Sequence, residues 1–156
     1  MAAAESNKLD IATDVKCPPH KFYEMLKYTL HHLPLAFPET FKTTEILEGD
    51  GESVGTIRLW TYVLPGTTEV LSCKEKVEVI DDENMWIVCK VLEGDLLDQY
   101  QHFQIKIHVI PQNEGCSVKW TVEYGKCSEG ISDPHHYLDL FVMNNNKLDA
   151  YIASKA

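Results

Sequence analysis

Six predicted β-strands follow one another between residues 42 and 126, with only short turns between them. Glycine, proline, asparagine and aspartate cluster at each break, and these residues favour turns because they tolerate or impose the required backbone angles. Short connections favour antiparallel neighbours, so this part of the chain predicts one antiparallel sheet. The candidate strands span residues 42–48, 54–64, 68–80, 84–92, 99–110 and 115–125.

Two helical segments precede these strands. After a first predicted strand at residues 8–16, Pro18 and Pro19 favour a helix start, because proline is well tolerated in the first helical turn. Apolar residues then recur at helical spacing up to Leu30, and a short second helix or a turn is expected around 31–37. The N-terminal part therefore predicts a strand followed by two short helices.

A long helix is predicted at the C-terminal end of the chain. Asp133 is the expected N-cap and Pro134 the first helical residue, and the helix is expected to run to about residue 153. Helices grouped against one antiparallel sheet define an α+β fold. We expect one domain spanning residues 1–156, because domains commonly contain about 100–150 residues.

The charge balance excludes polyanionic partners. The chain has 14 Lys and Arg residues against 24 Asp and Glu, a formal net charge of −10. Nucleic acids and anionic membrane surfaces would repel such a chain. No stretch approaches the roughly 20 apolar residues of a membrane span, so membrane insertion is not expected. The N-terminal segment MAAAESNKLD has neither a basic nor an apolar signal region, which predicts a cytoplasmic location.

Disulfide, metal and phosphate sites are not predicted. The five cysteines are odd in number and form no C-x-x-C motif, which indicates free thiols. Adjacent histidines at 31–32 and 135–136 diverge on a helix and are poorly placed to chelate one ion. The glycine-rich segment 48–55 carries three acidic residues and precedes a strand, so it predicts a turn rather than a phosphate loop. We expect no metal and no cofactor.

Eight short runs of sequence resemble those of one plant family. They are 46–50 (ILEGD), 55–62 (GTIRLWTY), 75–78 (EKVE), 80–84 (IDDEN), 92–95 (LEGD), 118–121 (VKWT), 123–124 (EY) and 133–134 (DP). In this order they are similar to the plant major latex proteins, a branch of the superfamily of the birch-pollen allergen Bet v 1 and the class-10 pathogenesis-related proteins. The resemblance covers essentially the whole chain. It implies the helix-grip (START-like) fold, in which a seven-stranded antiparallel sheet surrounds a long C-terminal helix, with two short helices and a large hydrophobic cavity.

One position departs from the family pattern. Gly51 stands where the family usually has tryptophan after Glu-Gly-Asp. The loss of that ring changes a loop near the expected cavity entrance, so the resemblance does not fix the ligand preference.

The resemblance also implies which side chains bind a ligand. Period-2 alternation in strand 55–63 leaves open whether its even-numbered or odd-numbered residues face inward, because both sets are partly apolar. Similarity to the cavity strand of the birch allergen selects Arg58, Trp60 and Tyr62. The same carry-over predicts further ligand-binding residues: Met25, Leu33, Val70, Ser72, Ile87, Cys89, Val91, Phe103, Ile105, Val118, Trp120, Val122, Leu138, Phe141, Val142 and Asn145.

Five polar residues are candidates for catalysis. Tyr62, Tyr124 and His31 are acid–base candidates, because desolvation inside an apolar cavity shifts the pKa of such groups. Lys74 is a further acid–base candidate for the same reason. Arg58 is suited to hold an enolate or carbonyl oxygen. The implied lining contains one arginine and no carboxylate, which favours a neutral, oxygen-bearing hydrophobic ligand over a cation.

The resemblance supports three functions. The first is the binding of a small hydrophobic metabolite (a terpenoid, sterol, fatty acid or hormone-like molecule) in plant specialised metabolism or defence. The alternative is a cofactor-free enzyme whose cavity directs cyclisation or isomerisation of a reactive iridoid or alkaloid precursor, because such reactions need little more than a shaped pocket and one polar anchor. The third is an interaction or defence protein whose pocket is incidental. We expect a monomer or a weak homodimer.

Overall fold

A computed structural model describes residues 6–155 of the chain. Residues 1–5 and Ala156 lie outside the described residues. The two ends of the predicted domain 1–156 therefore lie outside them as well, and so does the first half of the segment MAAAESNKLD, in which no signal region is predicted.

Seven antiparallel strands form one sheet, in the spatial order β1-β7-β6-β5-β4-β3-β2. All seven predicted strands are present, and their ends agree with the predicted ones to within two residues, except that β3 begins three residues later than predicted. The loop before β3 contains Gly49, Gly51 and Gly55, which all adopt positive φ. The predicted antiparallel sheet is therefore confirmed. The strands are β1 (Asn7–Val15), β2 (Phe41–Glu48), β3 (Ile57–Val63), β4 (Val70–Asp81), β5 (Trp86–Gly94), β6 (Tyr100–Pro111) and β7 (Cys116–Lys126).

Three α-helices complete the described chain. They are α1 (Pro19–Tyr28), α2 (Leu33–Ala36) and α3 (His135–Ser154), with short 3-10 turns at Leu30–His32 and Asp95–Asp98. Among residues 6–155, no helix combines the length and the apolar character needed to cross a membrane.

The long helix α3 packs its buried stripe against the inner face of the sheet. The stripe recurs at helical spacing and consists of Tyr137, Leu140, Phe141, Asn144, Asn145, Leu148 and Ile152. Near its C-terminal end, the Asp149 carboxylate accepts hydrogen bonds from the backbone N–H groups of Lys16 (3.2 Å) and Cys17 (3.0 Å). These bonds attach α3 to the segment that follows β1. The arrangement confirms the expected helix-grip α+β fold.

The start of α3 differs from the prediction. Pro134, not Asp133, is the N-cap residue, and no side chain caps the helix. The Asp133 carboxylate instead accepts hydrogen bonds from the hydroxyl of Tyr124 (2.6 Å) and the ammonium of Lys126 (3.0 Å). The Asp133 carboxylate is therefore bonded to two donors on β7 and does not cap α3.

Candidate ligand-binding cavity

A small cavity lies between the inner face of the sheet and α3. Its volume is about 70 Å³, and its walls are mainly aliphatic and aromatic. All lining residues except the half-buried Ile105 are buried. They are Leu30, Leu33, Phe41, Trp60, Tyr62, Cys73, Glu75, Cys89, Leu96, Ile105, Ile107, Trp120, Tyr137, Leu140, Phe141 and Asn144.

This cavity is smaller than the family resemblance implies. Small-molecule pockets commonly enclose about 300–1,000 Å³, and an apolar cavity of about 150 Å³ is known to bind benzene. Aromatic rings occupy the space here: Trp120 stacks on Phe141 with centroids 4.4 Å apart, and Phe41 meets Trp60 edge-on at 5.4 Å. A ligand of more than a few heavy atoms therefore requires these rings to move.

The even-numbered residues of β3 face α3. Arg58, Trp60 and Tyr62 are all buried, whereas the residues between them are only half-buried. Trp60 and Tyr62 line the cavity, and Arg58 lies beside it against Glu75. The structure thus selects the set of β3 residues that the residue pattern alone left open.

The predicted inner face of β4 is wrong by one residue. Val70 is 57% exposed, and Ser72 is half-buried outside the cavity lining. In the pairing of β3 with β4, Trp60 lies opposite Cys73 and Arg58 opposite Glu75. Because directly opposed residues share a face, Cys73 and Glu75 point inward, and a slip of one residue exchanges the two faces.

The other predicted ligand-binding residues divide into three groups. Leu33, Cys89, Ile105, Trp120 and Phe141 line the cavity. Buried in the core without lining it are Ile87, Val91, Phe103, Val118, Val122 and Asn145. Half-buried and away from it are Met25, Leu138 and Val142, and Met25 lies in an outer groove beside Tyr28 and Tyr151.

Nine lining residues were not predicted. Three had a usable signal, because Tyr137, Leu140 and Asn144 fall on the same helical stripe as Phe141. Phe41 lies opposite Tyr62 in the sheet, which only the strand pairing reveals. The complete set is Leu30, Phe41, Cys73, Glu75, Leu96, Ile107, Tyr137, Leu140 and Asn144.

A buried ion pair forms one polar end of the site. The Arg58 guanidinium Nη1 donates to Glu75 Oε1 at 2.9 Å, and the indole Nε1 of Trp60 donates to the same oxygen at 2.8 Å. Both charged side chains are less than one-tenth exposed. Contrary to the expected lining, the cavity therefore contains a carboxylate, and Arg58 neutralises its charge.

Two tyrosine hydroxyls meet inside the cavity. Tyr62 on β3 and Tyr137 on α3 share a short hydrogen bond between their hydroxyl groups. Burial raises the pKa of both phenols well above the ordinary tyrosine value. Both are therefore neutral near pH 7. One hydroxyl donates to the other, which leaves a single O–H in the pair as a donor.

The hydroxyl of Tyr124 is directed away from the cavity. Its ring is buried, but the hydroxyl donates to Asp133 at 2.6 Å, and the residue does not line the cavity. Burial and this hydrogen bond raise the pKa of Tyr124. The Lys74 ammonium, on the outer face of β4, pairs with Glu93. Neither predicted acid–base group is placed to act on a molecule inside.

Burial favours the protonated form of the two cavity thiols. Cys73 and Cys89 both line the cavity. Burial, followed by the nearby negative charge of Glu75, raises the pKa of both thiols above the ordinary cysteine value. Since the thiolate is the nucleophile, these residues act as small apolar groups near pH 7.

His31 occupies the space beside Gly51. A Cβ atom at Gly51 would lie 3.8 Å from His31 Cε1 and 2.6 Å from Ile46 Cδ1, and Gly51 has a φ of +85°. A tryptophan here would thus displace Ile46 or His31. His31 does not line the cavity, and its Nδ1 atom is buried without a hydrogen-bond partner among residues 6–155. Burial lowers the pKa of His31.

This lowered pKa predicts a pH-dependent stability. The unfolded chain binds the His31 proton more readily than the folded protein, so the free energy of unfolding should fall as the pH drops below about 6.5. The loss ends once the pH is below the folded-state pKa. Urea unfolding at pH 7.5 and 5.5 measures the effect, which His31→Gln should reduce and the exposed-site variant His20→Gln should leave unchanged. Equal pH dependence in the wild type and His31→Gln would contradict it.

Three consecutive asparagines on α3 have different environments. Asn145 is fully buried, and its side chain accepts from Trp120 Nε1 (2.7 Å) and donates to the carbonyl of Val118 (3.2 Å). Asn144 is also buried and lines the cavity, but its Oδ1 has no hydrogen-bond partner among the described residues. Asn146 is exposed. Only Asn145 therefore uses both ends of its amide to join α3 to β7.

Leucine substitution at these positions should give three different results. Asn145→Leu should lower the free energy of unfolding by about 2–3 kcal/mol, because it leaves the buried Trp120 indole N–H without an acceptor and removes the bond to the Val118 carbonyl. Asn144→Leu, which removes an unpaired oxygen, and the exposed control Asn146→Leu should stay within about 1 kcal/mol of the wild type. Urea denaturation compares the three variants, and an Asn144→Leu loss as large as that of Asn145→Leu would refute this assignment.

A seven-stranded antiparallel sheet that holds a long C-terminal helix over an apolar interior defines the helix-grip class of proteins. A model of the Pathogenesis-related protein Bet v 1 family matches residues 4–155, and the chain belongs to this family. It is 36% identical to MLP-like protein 423 of Arabidopsis thaliana, over 94% of both chains. The predicted family is thereby confirmed.

Solved structures share the fold over nearly the whole chain. The major latex-like protein 151 of Panax ginseng superposes with a TM-score of 0.88 at 28% identity, over 94% of this chain and 97% of that one. Norcoclaurine synthase from Thalictrum flavum, in complex with dopamine and hydroxybenzaldehyde, superposes with a TM-score of 0.82 at 25% identity, over 98% and 90%. Both a major latex-like protein and an enzyme are thus similar to this chain.

Proposed function

We propose that this protein binds a small hydrophobic metabolite in the cavity between the sheet and α3, in plant specialised metabolism or defence. The observation that carries the proposal is the composition of the cavity, whose apolar and aromatic walls contain only a few polar groups. Such walls provide affinity through apolar contact, and the few polar groups orient the ligand. Membership of the Bet v 1 family supports the same function.

The cavity volume favours compact ligands. About 70 Å³ is available before any ring moves. A small terpenoid or hormone-like molecule requires less displacement of Trp120 and Phe141 than a sterol or a long fatty acid does. We therefore place compact terpenoids first among the candidate ligands.

Tryptophan fluorescence tests this function. Trp60 and Trp120 line the cavity, whereas Trp86 lies under the Lys106 ammonium, 4.1 Å from its ring centroid, and does not line it. Titration with menthol, a compact terpenoid, should change the emission saturably. Trp120→Phe should remove much of the change, and the control Trp86→Phe should preserve it. The absence of any saturable change with menthol or with octanoic acid would refute the proposal.

A cofactor-free enzyme is the second candidate. The neutral hydroxyl pair of Tyr62 and Tyr137, which retains one O–H donor, faces the same cavity as the Glu75 carboxylate. One donor and one acceptor are the minimum needed to polarise and orient a reactive molecule. The similarity to norcoclaurine synthase supports this alternative.

Product analysis separates the two candidates. If the protein is a cyclase or isomerase, Tyr62→Phe should change product formation from a reactive iridoid dialdehyde more than it changes the affinity for menthol. Identical rates and product ratios with and without protein would refute the enzyme function and leave ligand binding standing.

We also propose that the protein acts in the cytoplasm as a monomer or weak homodimer. All five cysteines are free thiols, which suits a reducing compartment. Sedimentation at increasing protein concentration tests the oligomeric state, and a tight dimer at micromolar concentration would contradict it.

A further inference from the structure

The helix wall of the cavity presents a hydrogen-bond acceptor that the protein does not use. Asn144 is only 2% exposed, and its Oδ1 atom has no partner among residues 6–155. A buried polar group without a partner is unfavourable, because it has lost its bonds to water. Asn144 lines the cavity, so a molecule inside it can supply the missing donor.

The sheet wall presents a second acceptor. Both donors that reach Glu75, from Arg58 and Trp60, go to Oε1. The ion pair and the indole hydrogen bond both use this one oxygen, which leaves Oε2 as the second acceptor atom of the carboxylate. A carboxylate paired with arginine only accepts hydrogen bonds. The sheet wall therefore needs a donor from the ligand, and this holds for either orientation of the Asn144 amide on the helix wall.

The charge of the site determines the kind of donor. The Arg58 guanidinium compensates the Glu75 carboxylate at 2.9 Å, so the pair carries no net charge. A ligand ammonium group would meet Arg58 as an uncompensated like charge beside an apolar cavity. A neutral hydroxyl or N–H group satisfies the free oxygens without adding charge.

We propose that the cavity recognises its ligand through a hydrogen-bond donor of that ligand, with Glu75 and Asn144 as the accepting residues. The preferred ligands are compact neutral compounds that carry a hydroxyl or N–H group, and ethers or hydrocarbons of the same skeleton bind more weakly. This inference rests on the proposed binding function. It goes beyond that function because it specifies the polarity of the ligand group at the site.

Three isosteric probes test the donor requirement. Indole carries an N–H donor, benzofuran has an ether oxygen at the same position, and indene has a methylene group there. All three displace the aromatic lining to the same extent, so the ratio of their affinities isolates the donor. Calorimetric titration should show indole binding about tenfold or more tightly than benzofuran and indene, as expected for one hydrogen bond to a buried acceptor.

Matched variants identify the acceptors. Asn144→Leu should reduce the preference for indole, whereas Asn146→Leu, the same change on the exposed face of α3, should preserve it. Because Glu75→Leu alone can prevent folding, the double variant Arg58→Met/Glu75→Leu removes both charges together. We expect this double variant to fold and to bind the three probes with nearly equal affinity.

Each outcome distinguishes the inference from the function on which it rests. Equal affinities of the wild type for indole, benzofuran and indene would overturn the donor requirement and leave cavity binding established. A preference for indole that survives both Asn144→Leu and the double variant would overturn the assignment to these acceptors. If none of the three probes and neither menthol nor octanoic acid binds, the proposed function fails, and the inference fails with it.

Discussion

Replacing Glu75 with leucine is expected to lower the free energy of unfolding by about 3–5 kcal/mol, because it leaves a buried arginine without its counter-charge. Arg58 is 3% exposed, and Glu75 is its ion-pair partner at 2.9 Å. The substitution also removes the acceptor of the Trp60 indole N–H. Urea denaturation followed by far-UV circular dichroism measures the loss.

Two further variants distinguish a buried unpaired charge from a general loss of packing. Arg58→Met/Glu75→Leu should recover most of the stability, since replacing a buried pair by apolar groups is often neutral. Glu123→Leu breaks the ion pair with Lys8, whose two side chains are 61% and 42% exposed, and should cost less than about 1 kcal/mol. A double variant as unstable as Glu75→Leu would contradict this explanation.

Phe141→Ala is expected to destabilise the protein by about 3–5 kcal/mol and to enlarge the cavity. The ring of Phe141 is buried, stacks on Trp120 at 4.4 Å and lines the cavity. Its removal gives up that stacking and leaves space that the backbone of the sheet and α3 cannot fully close. The variant should therefore bind a bulky neutral probe, N-phenyl-1-naphthylamine, more tightly than the wild type, as measured by the increase in probe fluorescence.

Phe22→Ala is the matched control for this prediction. Phe22 on α1 is also fully buried, but it does not line the cavity. Its loss should destabilise the protein by a similar amount, about 3–5 kcal/mol, without improving probe binding. Equal gains in probe fluorescence for both variants would show that the probe detects a loosened core rather than an enlarged cavity.

The limits of sequence-based prediction are clearest on β3 and β4. Both alternating sets of β3 are partly apolar, so periodicity left its inner face open, and the family resemblance selected the set that the structure buries. On β4 the same carry-over selected Val70 and Ser72, which lie off the inner face. The facing of β4 follows from hydrogen-bonded pairing with β3, and a slip of one residue in that pairing exchanges Ser72 for Cys73.

The order of strands and helices, the antiparallel sheet and the family are determined by the sequence alone, because turn residues and apolar spacing act over a few neighbouring positions. The polar groups and the volume of the cavity, in contrast, follow only from the tertiary structure. Its ion pair joins Arg58 to a residue 17 positions away, and its tyrosine pair spans 75 positions. Its small volume depends on how Trp120, Phe141 and their neighbours interlock. Such contacts depend on strand register and helix placement, which no local pattern of residues encodes.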